Sequence, residues 1–158
     1  MAQAKTMQAR NPDYAQRVQE SFALQGAMRT LGASLAAIEP GRVVIAMRHR
    51  PELTQQHGFV HAGMVAAALD SACGFAAFTL MPLEAGVLTI EFKINLLAPA
   101  RGPHLQFEGL VTKGGRTISV VDGRAWQSDN EDAGAERKLI ATMTATVMTV
   151  VGRDDVRH

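Results

Sequence analysis

From Gly58 to Met81, Asp70 carries the only formally charged side chain. A helix of about 20 residues is long enough to cross a bilayer, but this stretch is rich in Ala and Gly. A central Asp also adds about 2.5–3.5 kcal/mol to the free energy of insertion. We therefore predict an apolar helix at about His61–Leu80 that is buried inside a folded domain and ends before the break at Met81-Pro82.

Most of the remaining chain has the pattern of β-strands. Ser34–Ile38 and Arg42–Arg48 flank Glu39-Pro40-Gly41, a turn sequence in which Pro presets φ and Gly accepts a positive φ. These two segments predict a hairpin. The apolar helix is followed by four more predicted strands, at Gly86–Leu97, His104–Thr112, Thr117–Gln127 and Leu139–Val150. Alternation in the first of these predicts one shared face for Leu88, Ile90, Phe92 and Ile94.

The segment before the strands has helical spacing. Asn11-Pro12-Asp13 predicts a helix start with Asn11 as N-cap, and apolar residues continue at helical spacing to Leu31, where Gly32 ends the run. We expect a flexible N-terminus over residues 1–12, one domain over 13–151 and a solvated tail over 152–158.

The order of these elements indicates one fold class. Antiparallel strands need one covered face, and only the helix at 61–80 is long and apolar enough to cover it. The sequence therefore predicts an α+β domain in which a curved antiparallel sheet wraps around one long central helix, with an extra N-terminal helix.

Composition excludes several function classes. Lys and Arg total 16 and Asp and Glu total 15. The chain therefore lacks the excess of basic residues that is typical of proteins that bind nucleic acids. The single cysteine, Cys73, excludes an internal disulfide and a multi-cysteine zinc site. The first ten residues lack the apolar core of a secretory signal, so we expect a cytoplasmic protein without a membrane partner.

Asp70 is the first candidate for chemistry, because an unpaired carboxylate is costly to bury. It either meets solvent on an uncovered stripe of the helix or has a function. Just upstream, Gly58, Ala62 and Gly63 keep side chains away from the first free N–H groups of the helix, which form a natural oxyanion site. A capping role is the more common one for His61, and a metal site of His57, His61 and Asp70 is a less favoured alternative.

The spacing of these groups also predicts an assembly. His61 and Asp70 are nine residues apart, which corresponds to about 13.5 Å along a helix. One chain's helix start therefore cannot hold a carbonyl group that the same chain's Asp70 attacks. If the two cooperate, an antiparallel pair of helices in a twofold dimer supplies them.

At these residues the sequence resembles the hotdog-fold acyl-CoA thioesterases of the phenylacetate-pathway (PaaI-type) and 4-hydroxybenzoyl-CoA group. The family's motif is matched by Gln55, Gly58, His61-Ala62-Gly63 and Asp70, over a resemblance that runs from about Ser34 to Val150. The strand Val87–Phe92 leading to the Pro99-Ala100 turn, and the basic glycine turn Lys113–Thr117, also match.

The resemblance implies an acyl-CoA hydrolase that is a homodimer or a dimer of dimers and uses neither metal nor redox cofactor. Asp70 would be general base or nucleophile, the partner's Ala62 N–H would polarise the thioester carbonyl, and Thr89 would orient water. The implied catalytic residues are Asp70, Gln55, Ala62, His61 and Thr89. The implied substrate-binding residues are Gly58, Gly63, Arg116, Lys113, Arg101 and Met64, the basic ones for CoA phosphates.

Two departures and two alternatives accompany this assignment. Ala62 replaces the family's middle Gly, and Gln55 stands where many members have Asn. His61 with Asp70 could instead serve a hotdog hydratase or dehydratase, and a non-catalytic acyl-CoA-binding domain is the other possibility. The acyl group is expected beside Met64, Phe75 or Phe92, and its identity stays open.

Overall fold

A computed structural model of the 158-residue chain describes residues 7–132 and 134–156. Within them, all pairings of the six-stranded sheet are antiparallel, and the strand order is β1-β2-β4-β5-β6-β3. The elements are α1 Tyr14–Leu24, α2 Gly26–Leu31, β1 Ser34–Glu39, β2 Arg42–Arg48, a 3-10 turn Pro51–Leu53, α3 Ala62–Phe78, β3 Gly86–Leu96, β4 His104–Lys113, β5 Ile118–Ser128 and β6 Lys138–Val150.

Helix α3 is the centre of the fold. It packs against β2, β3, β4, β5 and β6, so that the sheet curves around it. The predicted α+β architecture, a curved sheet around one central helix with an added N-terminal helix, is confirmed. The predicted strands agree with the observed ones to within one residue at their ends, and α3 is slightly shorter than the predicted 61–80.

Two glycines allow α3 to lie close to the sheet. Gly109 of β4 and Gly123 of β5 face each other in register. A Cβ at Gly109 would collide with the carbonyl group of Ala72, and one at Gly123 would lie 2.9 Å from the Cys73 Sγ and 3.0 Å from the Leu69 Cγ. The backbone of α3 therefore rests directly on the centre of the sheet. This contact fixes the distance between the sheet and the residues of α3 around Asp70.

The N-terminal helix differs from its prediction in two ways. It begins at Tyr14 rather than Pro12, because the Asn11 side chain accepts a 3.0 Å hydrogen bond from the Asp13 N–H and forms a turn before the helix. It also breaks at Gln25, whose φ of −77° and ψ of 101° are extended, so that α1 and α2 are separate helices. Residues 1–6 and 157–158, parts of the predicted flexible ends, lie outside the described residues.

Arg17 attaches α1 to the loop between α3 and β3. Its buried guanidinium donates hydrogen bonds to the carbonyl oxygens of Pro82 and Ala85 and stacks 4.0 Å from the centre of the Phe78 ring. These hydrogen bonds hold α1 on the end of α3 that leads into β3.

Strand β3 lies at an edge of the sheet, and β6 is the one strand among the described residues that pairs with it. A register shift between Thr89 and Glu91 interrupts its alternation: Thr89 reaches Asp70 on α3, and Ile94, five residues later, packs against the core. The prediction that Leu88, Ile90, Phe92 and Ile94 share one face is therefore wrong. Several apolar side chains of this region are 40–54% exposed: Leu88, Ile90, Phe92, Leu96 and Leu97.

No helix among the described residues has the length and hydropathy needed to span a membrane.

Candidate active site

Asp70 lies at the middle of α3, where the helix faces the start of β3. Its half-buried carboxylate accepts a 2.8 Å hydrogen bond from the Thr89 hydroxyl. Both residues line a cavity of about 240 Å³. Within the described part of the chain Asp70 has no cationic partner within 4.0 Å. A carboxylate in this setting has lone pairs left to accept a proton or to bind water.

Burial sets the electrostatic character of this group. Removal from water raises the pKa of the Asp70 carboxyl above its ordinary value of 3.8, and the hydrogen bond from Thr89 partly opposes that rise. A carboxylate with a raised pKa is a stronger base than an exposed one, which suits proton abstraction from water. Burial also raises the pKa of the nearby Cys73 thiol far above its ordinary value, so this thiol is not a ready nucleophile.

The loop before α3 forms the second part of the site. Gly58 adopts a φ of +79°, which only glycine accepts without strain, and the Thr54–Val60 bridge closes the loop. His61 is the N-cap of α3: its Nδ1 accepts a 2.9 Å hydrogen bond from the Gly63 N–H. The N–H of Ala62, an exposed residue, has no acceptor in the described chain. It is therefore a free donor at the positive end of the helix.

Gln55 borders this helix start. Its side-chain oxygen accepts a hydrogen bond from the His57 N–H. With His61, Ala62 and the end of β3 at Leu96-Leu97, Gln55 lines a cavity of about 410 Å³. Its carboxamide N–H groups have no recorded partner in the part of the chain that is described, so they remain able to donate to a ligand.

Within a single chain, the cavity at Asp70 and the cavity at Ala62 are separate. The cavity at Asp70 and the cavity at Ala62 have no lining residue in common. They adjoin opposite ends of β3, at Val87-Leu88 and at Leu96-Leu97. Over the described ranges 7–132 and 134–156, no group of three or more His, Cys, Asp or Glu residues is suited to hold a metal ion.

The basic residues singled out from the sequence fall into two groups. Lys113 and Arg116 line a cavity of about 520 Å³ between the β4–β5 turn and the end of α3. Arg10, which the sequence analysis did not select, lines the same cavity. Arg101 does not join them: its guanidinium lies 4.7 Å from the centre of the Phe59 ring, near the start of α3.

The residues expected around the acyl group are also divided. Phe75 lines the cavity at Asp70, whereas Met64 and Phe92 are not among its lining residues. Two polar residues without an assigned role in the sequence analysis, Gln25 and Ser71, do line this cavity. The only sequence signal for Gln25 is the glycine that follows it, which weakens the helix at that point.

Comparisons with known proteins agree on the family. Residues 57–133 match the model of the thioesterase superfamily. A curated protein named "Putative esterase SSO2140", from Saccharolobus solfataricus, is 34% identical over 92 residues, which are 58% of this chain and 65% of that protein. A second, from Halobacterium salinarum, is 30% identical over 70% of this chain and 76% of its own length. The match to the first of these thus spans less than two thirds of its length.

Solved structures share the fold. A thioesterase family protein from Silicibacter pomeroyi is 51% identical, has a TM-score of 0.83 and is matched over 88% of this chain and 99% of its own. The PaaI protein of the phenylacetic acid degradation operon of E. coli has a TM-score of 0.77 at 16% identity, over 89% of this chain and 95% of its own. At that identity the second likeness is one of fold alone.

Proposed function

The chain belongs to the thioesterase superfamily, and from that premise we propose that it hydrolyses an acyl-CoA thioester to a free acid and CoA. The observation that carries the proposal is the half-buried Asp70 carboxylate, which has a Thr89 hydrogen bond and no cationic partner in the described chain. On a helix with no other charged side chain, such a group is costly to the fold and useful as a base.

The proposed reaction needs only groups of this chain and water. Asp70 takes a proton from water as the water oxygen attacks the thioester carbonyl carbon, and the Ala62 N–H donates to the oxyanion that forms. Collapse of the tetrahedral intermediate breaks the C–S bond, and the proton passes from Asp70 to the leaving thiolate. If Asp70 instead attacks directly, its carboxylate displaces the CoA thiolate as the C–S bond breaks and a mixed anhydride forms. Water then hydrolyses the anhydride to the free acid and Asp70, and the proton released is taken up by the thiolate.

We further propose that a second copy completes the site. Asp70 and Ala62 are eight residues apart in α3, or about 12 Å along the helix, and they adjoin separate cavities. Antiparallel pairing of two β3 edges about a twofold axis near Phe92 would bring the Leu96 end of one strand beside the Leu88 end of the other. The exposed apolar side chains of β3 support this contact, and so does its unpaired edge.

Lys113 and Arg116 are the candidate contacts of the CoA phosphates, with Arg10 as a third cation. None of the three forms an ion pair with any described carboxylate, and all line the same cavity.

Arg116→Ala should raise KM for CoA esters about tenfold with little change in kcat. Arg124→Ala, the same exchange at an exposed residue of β5 outside this cavity, should leave KM unchanged.

A thiol-release screen over a panel of acyl-CoA esters tests the proposed function. Asp70→Asn should lower kcat by about 10²–10⁴-fold. Asp122 offers a matched control, because its carboxylate also accepts a 2.8 Å hydrogen bond from a threonine, Thr112, on the exposed side of the sheet. Asp122→Asn should leave kcat unchanged.

Three results would contradict the proposal. Retention of more than about a tenth of kcat by Asp70→Asn would remove Asp70 from the chemistry. Hydration of an enoyl-CoA without thiol release would indicate a hydratase. Tight acyl-CoA binding by the wild type with no turnover of any ester would indicate a binding domain.

The single cysteine is compatible with a reducing compartment, so we propose the cytoplasm as the location.

A further inference from the structure

The break between α1 and α2 directs Gln25 toward the cavity at Asp70. The backbone of Gln25 serves both helices, because its N–H donates to Phe22 and its carbonyl oxygen accepts from Met28. Its side chain takes no part in capping either helix. Instead the carboxamide oxygen accepts a 2.9 Å hydrogen bond from the Ser71 hydroxyl on α3. The extended backbone at Gln25 thus brings a carboxamide to the cavity at a point where a continuous helix would have run past it.

A count of hydrogen-bond donors shows what this carboxamide can do. Four side chains that line the cavity are polar: Gln25, Asp70, Ser71 and Thr89. The Thr89 hydroxyl donates to Asp70, the Ser71 hydroxyl donates to Gln25, and an ionised carboxylate has no proton to give. The two N–H groups on Nε2 of Gln25 have no recorded acceptor in the described chain. They are the uncommitted side-chain donors of the cavity.

We propose that Gln25 determines acyl-group specificity: its Nε2 donates to an oxygen atom carried by the acyl group, so that hydroxy-, oxo- or alkoxy-substituted acyl groups are preferred to plain hydrocarbons. The inference rests on the proposed thioester hydrolysis at Asp70. The apolar remainder of the wall, which includes Phe75 and Val87, packs against the acyl carbons. Ser71 fixes the orientation of the carboxamide, which lowers the entropy cost of the bond to substrate.

Three CoA esters of equal chain length test this preference: hexanoyl-, 3-hydroxyhexanoyl- and 6-hydroxyhexanoyl-CoA. In the wild type, at least one hydroxylated ester should exceed hexanoyl-CoA in kcat/KM by about tenfold, the contribution of one partly buried hydrogen bond. Gln25→Leu removes both donors and should bring this ratio to about one while hexanoyl-CoA is still hydrolysed. Gln25→Glu keeps the acceptor for Ser71 but loses the donors, and it should abolish the preference as well.

Gln19→Leu is the matched control, because Gln19 is an exposed glutamine on α1 that does not line the cavity. It should keep the wild-type ratio. Equal kcat/KM for all three esters in the wild type, or an unchanged ratio in Gln25→Leu, would overturn the inference. A uniform fall of kcat for every ester in Gln25→Leu would also overturn it, since that pattern indicates a role in water positioning.

The same experiments distinguish failure of the proposed thioester hydrolysis from failure of the inference about Gln25. A wild type that releases no thiol from these three esters or from any other ester of the panel contradicts thioester hydrolysis, whatever Gln25 does. Calorimetric binding of the corresponding non-hydrolysable CoA thioethers then decides the role of Gln25 separately. A hydroxylated thioether should bind the wild type about tenfold more tightly than the hexyl thioether, and Gln25→Leu should remove the difference. Equal binding of the thioethers by the wild type would overturn the inference here too.

Discussion

Thr89 on edge strand β3 donates a hydrogen bond to Asp70 on central helix α3, at 2.8 Å. The bond joins the two elements that border the cavity and directs one carboxylate oxygen toward the strand. The bulge that follows Thr89 changes which face the later residues of β3 present, while Thr89 itself stays on the helix side. The geometry of the candidate base therefore depends on an edge strand that we propose to pair with a second copy.

Removal of this hydrogen bond should change the pH dependence of the reaction. The bond lowers the pKa of Asp70 while burial raises it, so Thr89→Val should raise the pKa further. If ionised Asp70 is the active form, activity is lost as pH falls through that pKa. The acid limb of kcat/KM against pH should therefore move to higher pH in Thr89→Val. Thr112→Val, at the exposed Thr112–Asp122 pair, should leave the profile in place. A shift of the limb to lower pH would contradict this account.

The free N–H of Ala62 can be deleted with little cost to the fold. Proline suits the first position of a helix, and His61 has φ −59° and ψ 137°, the extended conformation that a residue before proline prefers. Ala62→Pro should therefore fold normally and lower kcat by about 10²–10³-fold through loss of one oxyanion donor. Ala62→Ser, which keeps the N–H, should retain most of the activity. Full activity in Ala62→Pro would exclude this N–H from the reaction.

Subunit mixing should reveal whether the site is shared. In a dimer of one Asp70→Asn chain and one Ala62→Pro chain, one site carries both defects and the other carries neither, provided that Asp70 works with the partner's Ala62. Random co-assembly should then restore about a quarter of the wild-type rate, since half of the dimers are mixed and each has one intact site. If both groups act within one chain, co-expression of the two variants restores nothing.

The packing of α3 on the sheet predicts a large effect of one methyl group. Gly109→Ala would direct a Cβ into the backbone of α3 at Ala72. We expect the free energy of unfolding to fall by about 1–3 kcal/mol, as measured by urea denaturation. Gly134→Ala, at an exposed glycine with no atom within 4 Å of the added Cβ, is the control and should change stability by less than about 0.5 kcal/mol. An equal effect of the two exchanges would mean that α3 can move to make room.

Local patterns in the sequence were sufficient for most of the fold. Apolar and polar residues alternate clearly along the strands, and turn residues separate them. Because α3 is the only long apolar stretch of the sequence, a sheet that packs around α3 is the expected arrangement. The break at Gln25 could not be read in the same way, because Gln is a good helix former and one following glycine is a weak signal. The break is stabilised instead by a tertiary hydrogen bond to Ser71, a residue 46 positions away.

The candidate site was predictable to the extent that it is local. The segment from Gln55 to Gly63 and the position of Asp70 lie on one loop and one helix, and motif spacing identified them. The family resemblance grouped Arg101 with Lys113 and Arg116 as candidate contacts of the CoA phosphates, and the fold puts Arg101 beside Phe59 instead. Arg10 was missed because only the folded chain brings the N-terminal segment to the β4–β5 turn.

The glycine pair at the centre of the sheet also limits how this protein could be redesigned. Since Gly109 and Gly123 leave no room for a side chain beneath α3, exchanges there would displace the helix that carries Asp70. New acyl preferences would have to be engineered at residues that line the cavity at Asp70, such as Gln25 at the break between α1 and α2. Libraries at Gln25 should yield enzymes with altered preferences, whereas libraries at the two glycines should yield destabilised ones.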